Sequence, residues 1–235
     1  MKKLMEMIHA VRQRAFTAGV LLCLMLVMMT LGGCGLAGRL KSAAEAYVST
    51  LAAKTGIADT FTLSSAKPDM SSKTDLAGFT VHSKTFSRNF TVFVSRDGKS
   101  VTDTYYTLSM EQMAQTELNK IVREVLGQDA PAAAAAFVPV SSEALSGRAF
   151  ASLAEFCKAS GGSVLELRLG AALKEQKDVD AVLLALQEKG IFCRFYPYAS
   201  DAVMYEVLPD EFWITKRSGA DGGAYANREK YEPGR

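Results

Sequence analysis

Apolar positions along the chain fall into two alternating rhythms, one of helices and one of strands. Leu40, Ala43, Ala44, Tyr47 and Leu51 recur at the spacing of a single helix face, and Gly56 supplies the stop. Phe61-Thr62-Leu63, Phe79-Thr80-Val81 and Phe90-Thr91-Val92-Phe93-Val94 then alternate apolar and polar, or nearly so, as half-buried strands do. Arg96-Asp97-Gly98-Lys99 predicts a hairpin turn, because Asp-Gly supplies the positive φ a tight turn needs. Val101 to Tyr106 is the expected return strand. Ser109 with Gln112 reads as a capping box, and Leu108 with Met113 as a hydrophobic staple. Met113, Leu118, Ile121, Val122 and Val125 extend that helix to Gly127. Helix, strands and helix make a first unit over residues 34–127.

Residues 128–136, with Pro131 and five alanines, read as a linker, and the alanines also permit helix. A second unit is expected over 137–217. It opens on Phe137-Val138-Pro139-Val140, an edge strand because of the proline. A helix follows with Phe150, Leu153, Phe156 and Cys157 on one face. Val164 to Leu169 alternates as a strand, and Asp178 caps a helix stopped by Gly190. Ile191 to Tyr196 and Val203 to Leu208 are two antiparallel strands. The predicted class is α+β, a helix-strands-helix unit followed by a β-α-β-α-β-β unit. Residues 218–235 carry little to bury beyond Tyr225 and Tyr231 and are expected to be a disordered tail.

The amino terminus has a different pattern. Lys2, Lys3, Arg12 and Arg14 precede an uncharged stretch from Ala15 to Gly38, whose densest part is the twelve-residue apolar run Val20 to Leu31. That is the length of a secretory h-region and short for an unbroken span. Leu31-Gly32-Gly33-Cys34 resembles the bacterial lipobox. The resemblance implies that residues 1–33 are a cleaved signal peptide and that Cys34 is lipidated, leaving the chain anchored at the extracytoplasmic face of the cell membrane. The rival is retention of the uncharged stretch as a transmembrane anchor, against which Gly32, Gly33 and Gly35 stand where a span needs bulk. Gly33-Cys34-Gly35-Leu36-Ala37-Gly38 formally matches a dinucleotide fingerprint, but lacks its strand context.

Charge changes the picture once this segment is set aside. Removing the four cations and one anion of residues 1–33 from 27 basic and 25 acidic residues leaves 23 and 24, a net charge of −1. A near-neutral domain has no footprint for nucleic acid, whose binding rests on neutralising phosphates.

Ala46-Tyr47-Val48, Lys54-Thr55-Gly56, Phe61, the long hairpin and Asp103-Thr104-Tyr105 resemble a loose group of uncharacterised Gram-positive lipoproteins, over residues 40–126. Here the helix runs longer before its glycine, and Thr55 stands where that group has an aromatic. The resemblance implies an α+β lipoprotein domain and nothing about activity.

Candidate chemistry is sparse. His82, the one histidine after the signal segment, has no partners at metal-ligand spacing, so no metal and no cofactor are expected. Cys157 and Cys193 both fall on apolar faces, as buried free thiols or as a disulfide that an exported domain permits. Phe192, Phe195, Tyr196, Tyr198, Tyr205, Phe212 and Trp213 read mainly as core, with Trp213 and Tyr198 the candidates for a binding surface. No GxSxG, P-loop or convincing carboxylate pair occurs, so no catalytic residue is assigned. The expected function is a non-catalytic binding or scaffolding module for an envelope protein or cell-wall component. The alternative is an envelope hydrolase whose carboxylates the sequence does not single out.

Overall fold

A computed structural model of the protein describes residues 35–64, 69–70, 75–162, 164–198, 203–217 and 225–234. Residues 1–34, with the lipobox cysteine Cys34, lie outside the described residues. The fold is α+β, with two sheets and a hydrophobic core beneath each.

Helix α1 covers residues 35–55 and packs on the first sheet through Leu40, Ala44, Val48 and Leu51. That stripe repeats every three to four residues, so the whole apolar face reaches one partner. Gly56 ends the helix at φ 66°, a left-handed conformation glycine adopts without strain. The sheet contains β1 (Phe61–Leu63), β2 (Asp69–Met70), β3 (Leu76–Ser83), β4 (Arg88–Ser95) and β5 (Val101–Asp103). Its order is β1-β3-β4-β5, with the short β2 also paired to β3, and every pairing is antiparallel. Ala77, Phe79, Val81, Phe90, Val92 and Val94 face α1 in strict alternation. The β4–β5 turn forms where Asp-Gly predicts it, with Gly98 at φ 75° and its N–H donated to the Ser95 carbonyl at 2.7 Å.

The return strand is shorter than expected. β5 stops at Asp103, and α2 (Tyr106–Ser109) and α3 (Glu111–Leu126) follow with only Met110 between them. The expected capping box at Ser109 and Gln112 is not made, since α3 begins after Met110 with no side-chain cap. Ser109 is already helical as the last residue of α2, and its amide donates to the Tyr105 carbonyl at 3.1 Å, so the Gln112 side chain has no free amide there to reach back to. The staple is not made either, because Leu108 is buried in the first core whereas Met113 packs against the second.

α3 buries Ala114, Leu118, Ile121 and Val122 in the second core. A helical stripe specifies that one face is buried, not which sheet buries it. The second sheet runs β11-β10-β9-β8-β7-β6. Its strands are β6 (Ala133–Phe137), β7 (Leu165–Leu169), β8 (Cys193–Tyr196), β9 (Val203–Val207), β10 (Phe212–Arg217) and β11 (Tyr225–Tyr231). Helices α4 (Leu153–Ser160) and α5 (Gln176–Glu188) contribute Leu153, Phe156, Val179, Val182, Leu183 and Leu186 to the same core. β7 and β8 are parallel, as α5 between them requires, and the other pairings are antiparallel. Asp178 sits in the first turn of α5 rather than capping it; the capping position is Glu175, which makes no side-chain cap bond.

Two expectations of irregular chain are corrected. The alanine run read as a linker includes strand β6, antiparallel to β7. Alanine has little intrinsic strand preference, so neighbours hold the strand. Gln115 of α3 donates from Nε2 to the Ala133 carbonyl and accepts from the Ala135 amide, while Asn119 accepts from the Ala133 amide. Those amides occupy the outer edge of β6 and leave less of it open to another strand. The tail read as disordered contains β11, paired with β10 from Tyr225 to Tyr231. Tyr231 packs edge-on against Tyr205 at 5.0 Å and donates to Asp180 at 2.5 Å. A seven-residue strand needs only one inward anchor when its neighbour supplies the backbone partners, and composition alone hides that.

Candidate functional site

Asp103 is the one buried carboxylate among the described residues, at 1% exposure. It stands on β5 opposite Val92, so alternation along the strand turns its side chain inward toward α1. Buried carboxylates cost free energy unless donors surround them. Here Oδ2 accepts from the Tyr47 hydroxyl at 2.5 Å and the Gly147 amide at 2.8 Å, and Oδ1 accepts from the Tyr105 amide at 2.7 Å. The Asp103 amide itself donates to Ser146 Oγ at 2.9 Å, and that hydroxyl donates to the Ser142 carbonyl at 2.6 Å. One side chain therefore ties α1, the β5–α2 corner and residues 142–147 together.

Burial pushes the Asp103 carboxyl above its ordinary range, against the opposing pull of Tyr47, the two amides and the Lys54 charge. Burial also raises the Tyr47 phenol, and the neighbouring Asp103 charge adds to it, so Tyr47 is the donor of the pair. Tyr105 extends the network to Asp59, its hydroxyl donating to Oδ2 at 2.8 Å. Burial disfavours the Asp59 charge, but Ser83, Tyr105 and the Thr85 amide hold its carboxyl below the ordinary aspartate range. Phe61, Phe86 and Phe90 surround the Tyr105 ring at 5.2–5.8 Å.

Above Asp103 lies an open cleft of about 310 Å³ lined by Tyr47, Lys54, Lys99, Ser100, Val101, Glu143 and Ser146. The Lys54 ammonium lies 4.3 Å from the centre of the Tyr47 ring. Gly147 closes that side: its φ is 61°, and a Cβ there would lie 3.0 Å from the Tyr47 hydroxyl and 3.2 Å from Lys54 Cδ. Only glycine meets both the left-handed backbone and the close approach without displacing a neighbour. The residues that carried the family resemblance, Tyr47, Lys54, Phe61, Asp103 and Tyr105, thus meet around one network. The sequence signal for Asp103 was its place in the Asp103-Thr104-Tyr105 step of that resemblance; Ser146 and Gly147 gave none.

The other candidates are placed as follows. Cys34 lies outside the described residues. Cys157 and Cys193 are both free and fully buried in the second core. Burial pushes the Cys157 thiol up to about 12 and the Cys193 thiol well above its usual range, with Cys157 a second influence on Cys193. Trp213 is half-buried on β10; its Nε1 donates to Glu211 at 2.7 Å and the Arg228 guanidinium lies 4.3 Å over its ring. Tyr198 is half-buried just beyond β8. Phe195, Tyr196, Tyr205 and Phe212 of the aromatic cluster are buried, as expected of core. His82 is half-buried on β3 with Nδ1 2.9 Å from Asn89 Oδ1.

Among the described residues no three His, Cys, Asp or Glu side chains are grouped to hold a metal, and no helix is long and apolar enough to cross a membrane. Comparison with protein-family models, with curated proteins and with solved structures yields no match.

Proposed function

We propose that the protein is an extracytoplasmic lipoprotein, anchored to the cell membrane through an acylated Cys34, whose folded part is a non-catalytic binding or scaffolding module for a cell-envelope component. The observation that carries this reading is the order of features in residues 1–34: four cations, a twelve-residue apolar run, then Leu31-Gly32-Gly33-Cys34. Acyl chains contribute about 0.8 kcal/mol per buried methylene, so attachment by two or more chains is stable where a single chain is marginal.

A binding role suits the chemistry of the domain. A general acid or base has to reach its substrate's proton within hydrogen-bond distance. Asp103 is 1% exposed and already accepts from Tyr47, Tyr105 and Gly147. The second reading, an envelope hydrolase, draws on the same residue, because a raised carboxyl beneath a cleft is a recurrent feature of catalytic sites.

Metabolic labelling with a fatty-acid probe tests the anchor. Wild type is expected to incorporate label and Cys34→Ala to lose it and remain at precursor length; equal labelling of both contradicts the proposal.

A further inference from the structure

Helix α1 is docked on the first sheet from its first turn. It begins at residue 35, Leu36 packs against the first core, and Leu40 lies within that core at 2% exposure. Ala44, Val48 and Leu51 continue the contact, so the helix is fixed along its length. A flexible tether needs unpacked residues between the anchor point and the first docked side chain. Only Gly35 stands between Cys34 and Leu36. The outward side of the same two turns is basic. Arg39 is exposed and makes no ion pair among the described residues. Lys41 pairs with Glu45 at 3.6 Å, an exposed contact that contributes little and is screened by salt.

Helical rise sets the heights of these charges. Arg39 stands about 6 Å and Lys41 about 9 Å along the axis from Gly35, and Glu45 about 6 Å beyond Lys41. The headgroup layer is roughly 5–8 Å deep on each side of the hydrocarbon, and long cationic side chains snorkel toward it. Charges within a Debye length of about 8 Å feel an anionic surface. The cations are therefore near the anchor and the acid is far from it, the order an anionic leaflet favours. The domain as a whole is not basic, at −1 once residues 1–33 are set aside, so these local cations decide the contact. From these features we infer that the first two turns of α1 are a membrane-contact surface. The domain stands directly on the bilayer without a leash, and Arg39 and Lys41 meet the headgroups of anionic phospholipid. The inference rests on acylation of Cys34 as proposed above, and adds which face of the domain meets the membrane and which lipid class it meets.

Fluorescence quenching on the full chain, expressed with its signal segment and reconstituted in vesicles, tests this. A fluorophore is attached through Ser42→Cys at an exposed position of α1, while Cys157 and Cys193 are fully buried and do not compete for it. The quencher is carried on lipid headgroups, in vesicles of phosphatidylcholine with or without phosphatidylglycerol. A second variant carries a Gly-Ser spacer of about ten residues between Gly35 and Leu36, which spans roughly 17 Å on average and keeps the anchor. Quenching without the spacer is expected to exceed quenching with it several-fold. Arg39→Gln combined with Lys41→Gln should lower the signal in vesicles containing phosphatidylglycerol to that in phosphatidylcholine alone, where the substitutions change nothing. Equal quenching with and without the spacer overturns the direct seat on the bilayer. Substitutions without effect, or with the same effect on both vesicles, overturn the contact with anionic lipid. The mass of the Cys34 peptide is read from the same preparation. Missing acyl chains contradict the anchor and the inference together, whereas acylation without quenching overturns the inference alone.

Discussion

The two cores hold their elements by different means. Under the second sheet the contacts are almost wholly apolar: Phe156, Leu167, Leu183, Phe195 and Val207 are 0% exposed, and even the cysteines there are unbonded. The first core is smaller and carries a buried acid at its boundary with residues 142–147. Apolar burial is non-directional, contributing about 25 cal/mol per Å², so it compacts a region without fixing which loop lies where. A buried carboxylate is directional, and leaving its donors unmatched is costly. The difference teaches that the second core supplies bulk stability, while Asp103 positions α1, β5 and residues 142–147 around the Lys54 cleft.

Breaking the second core should cost most. Phe195→Ala is expected to destabilise by about 3–5 kcal/mol in denaturant unfolding. A loss below 1 kcal/mol would show that the sheet tolerates the cavity and that bulk stability lies elsewhere.

Asp103→Asn should follow, at about 2–3 kcal/mol, because an amide cannot accept from Tyr47 and both backbone amides as a carboxylate does. Its pH dependence has a definite sign. The folded protein holds the Asp103 proton more tightly than the unfolded chain, so protonation favours folding fully below the ordinary aspartate value of 3.8. That contribution fades as pH rises through the raised folded value. The stability difference between wild type and Asp103→Asn should therefore shrink as pH climbs above 3.8. Asp59, held low, behaves oppositely: its contribution is lost as pH falls, and it is common to both proteins. A difference that grows with pH would reverse the assignment.

Truncation after Arg217 sharpens the comparison from the other edge. It removes β11 and Tyr231, which is bonded to Gln176 and Asp180, and should cost about 2 kcal/mol in a thermal melt. An unchanged midpoint would show that β11 adds nothing to the second core. Replacing Cys157 or Cys193 by serine should cost on the order of 1–2 kcal/mol through an unsatisfied hydroxyl. Both thiols should resist alkylation in the native protein and react on unfolding without reductant. Rapid native labelling would place that side chain at the surface.

What could be read from the sequence was what local spacing controls. The stripe Leu40, Ala44, Leu51, the Asp97-Gly98 turn and the alternation of β3 and β4 each encode their own geometry. What escaped depended on distant partners. Ala133–Phe137 is a strand because Gln115 and Asn119 bond its edge, and Tyr225–Tyr231 because β10 pairs with it. The candidate site was legible only in pieces: Tyr47, Lys54 and Asp103 stood out by resemblance, but their meeting depends on Gly147, whose left-handed turn no local pattern marks. Trp213, attractive as a surface aromatic, is covered on one face by Arg228 from a segment expected to be disordered.

The claim that Asp103 holds the first region to residues 142–147 is tested most directly by amide hydrogen exchange on wild type and Asp103→Asn at constant pH. Faster exchange is expected in α1, in residues 101–109 and at Gly147, with β7 to β10 unchanged. Acceleration spread evenly over both sheets, or none near Gly147, would contradict it.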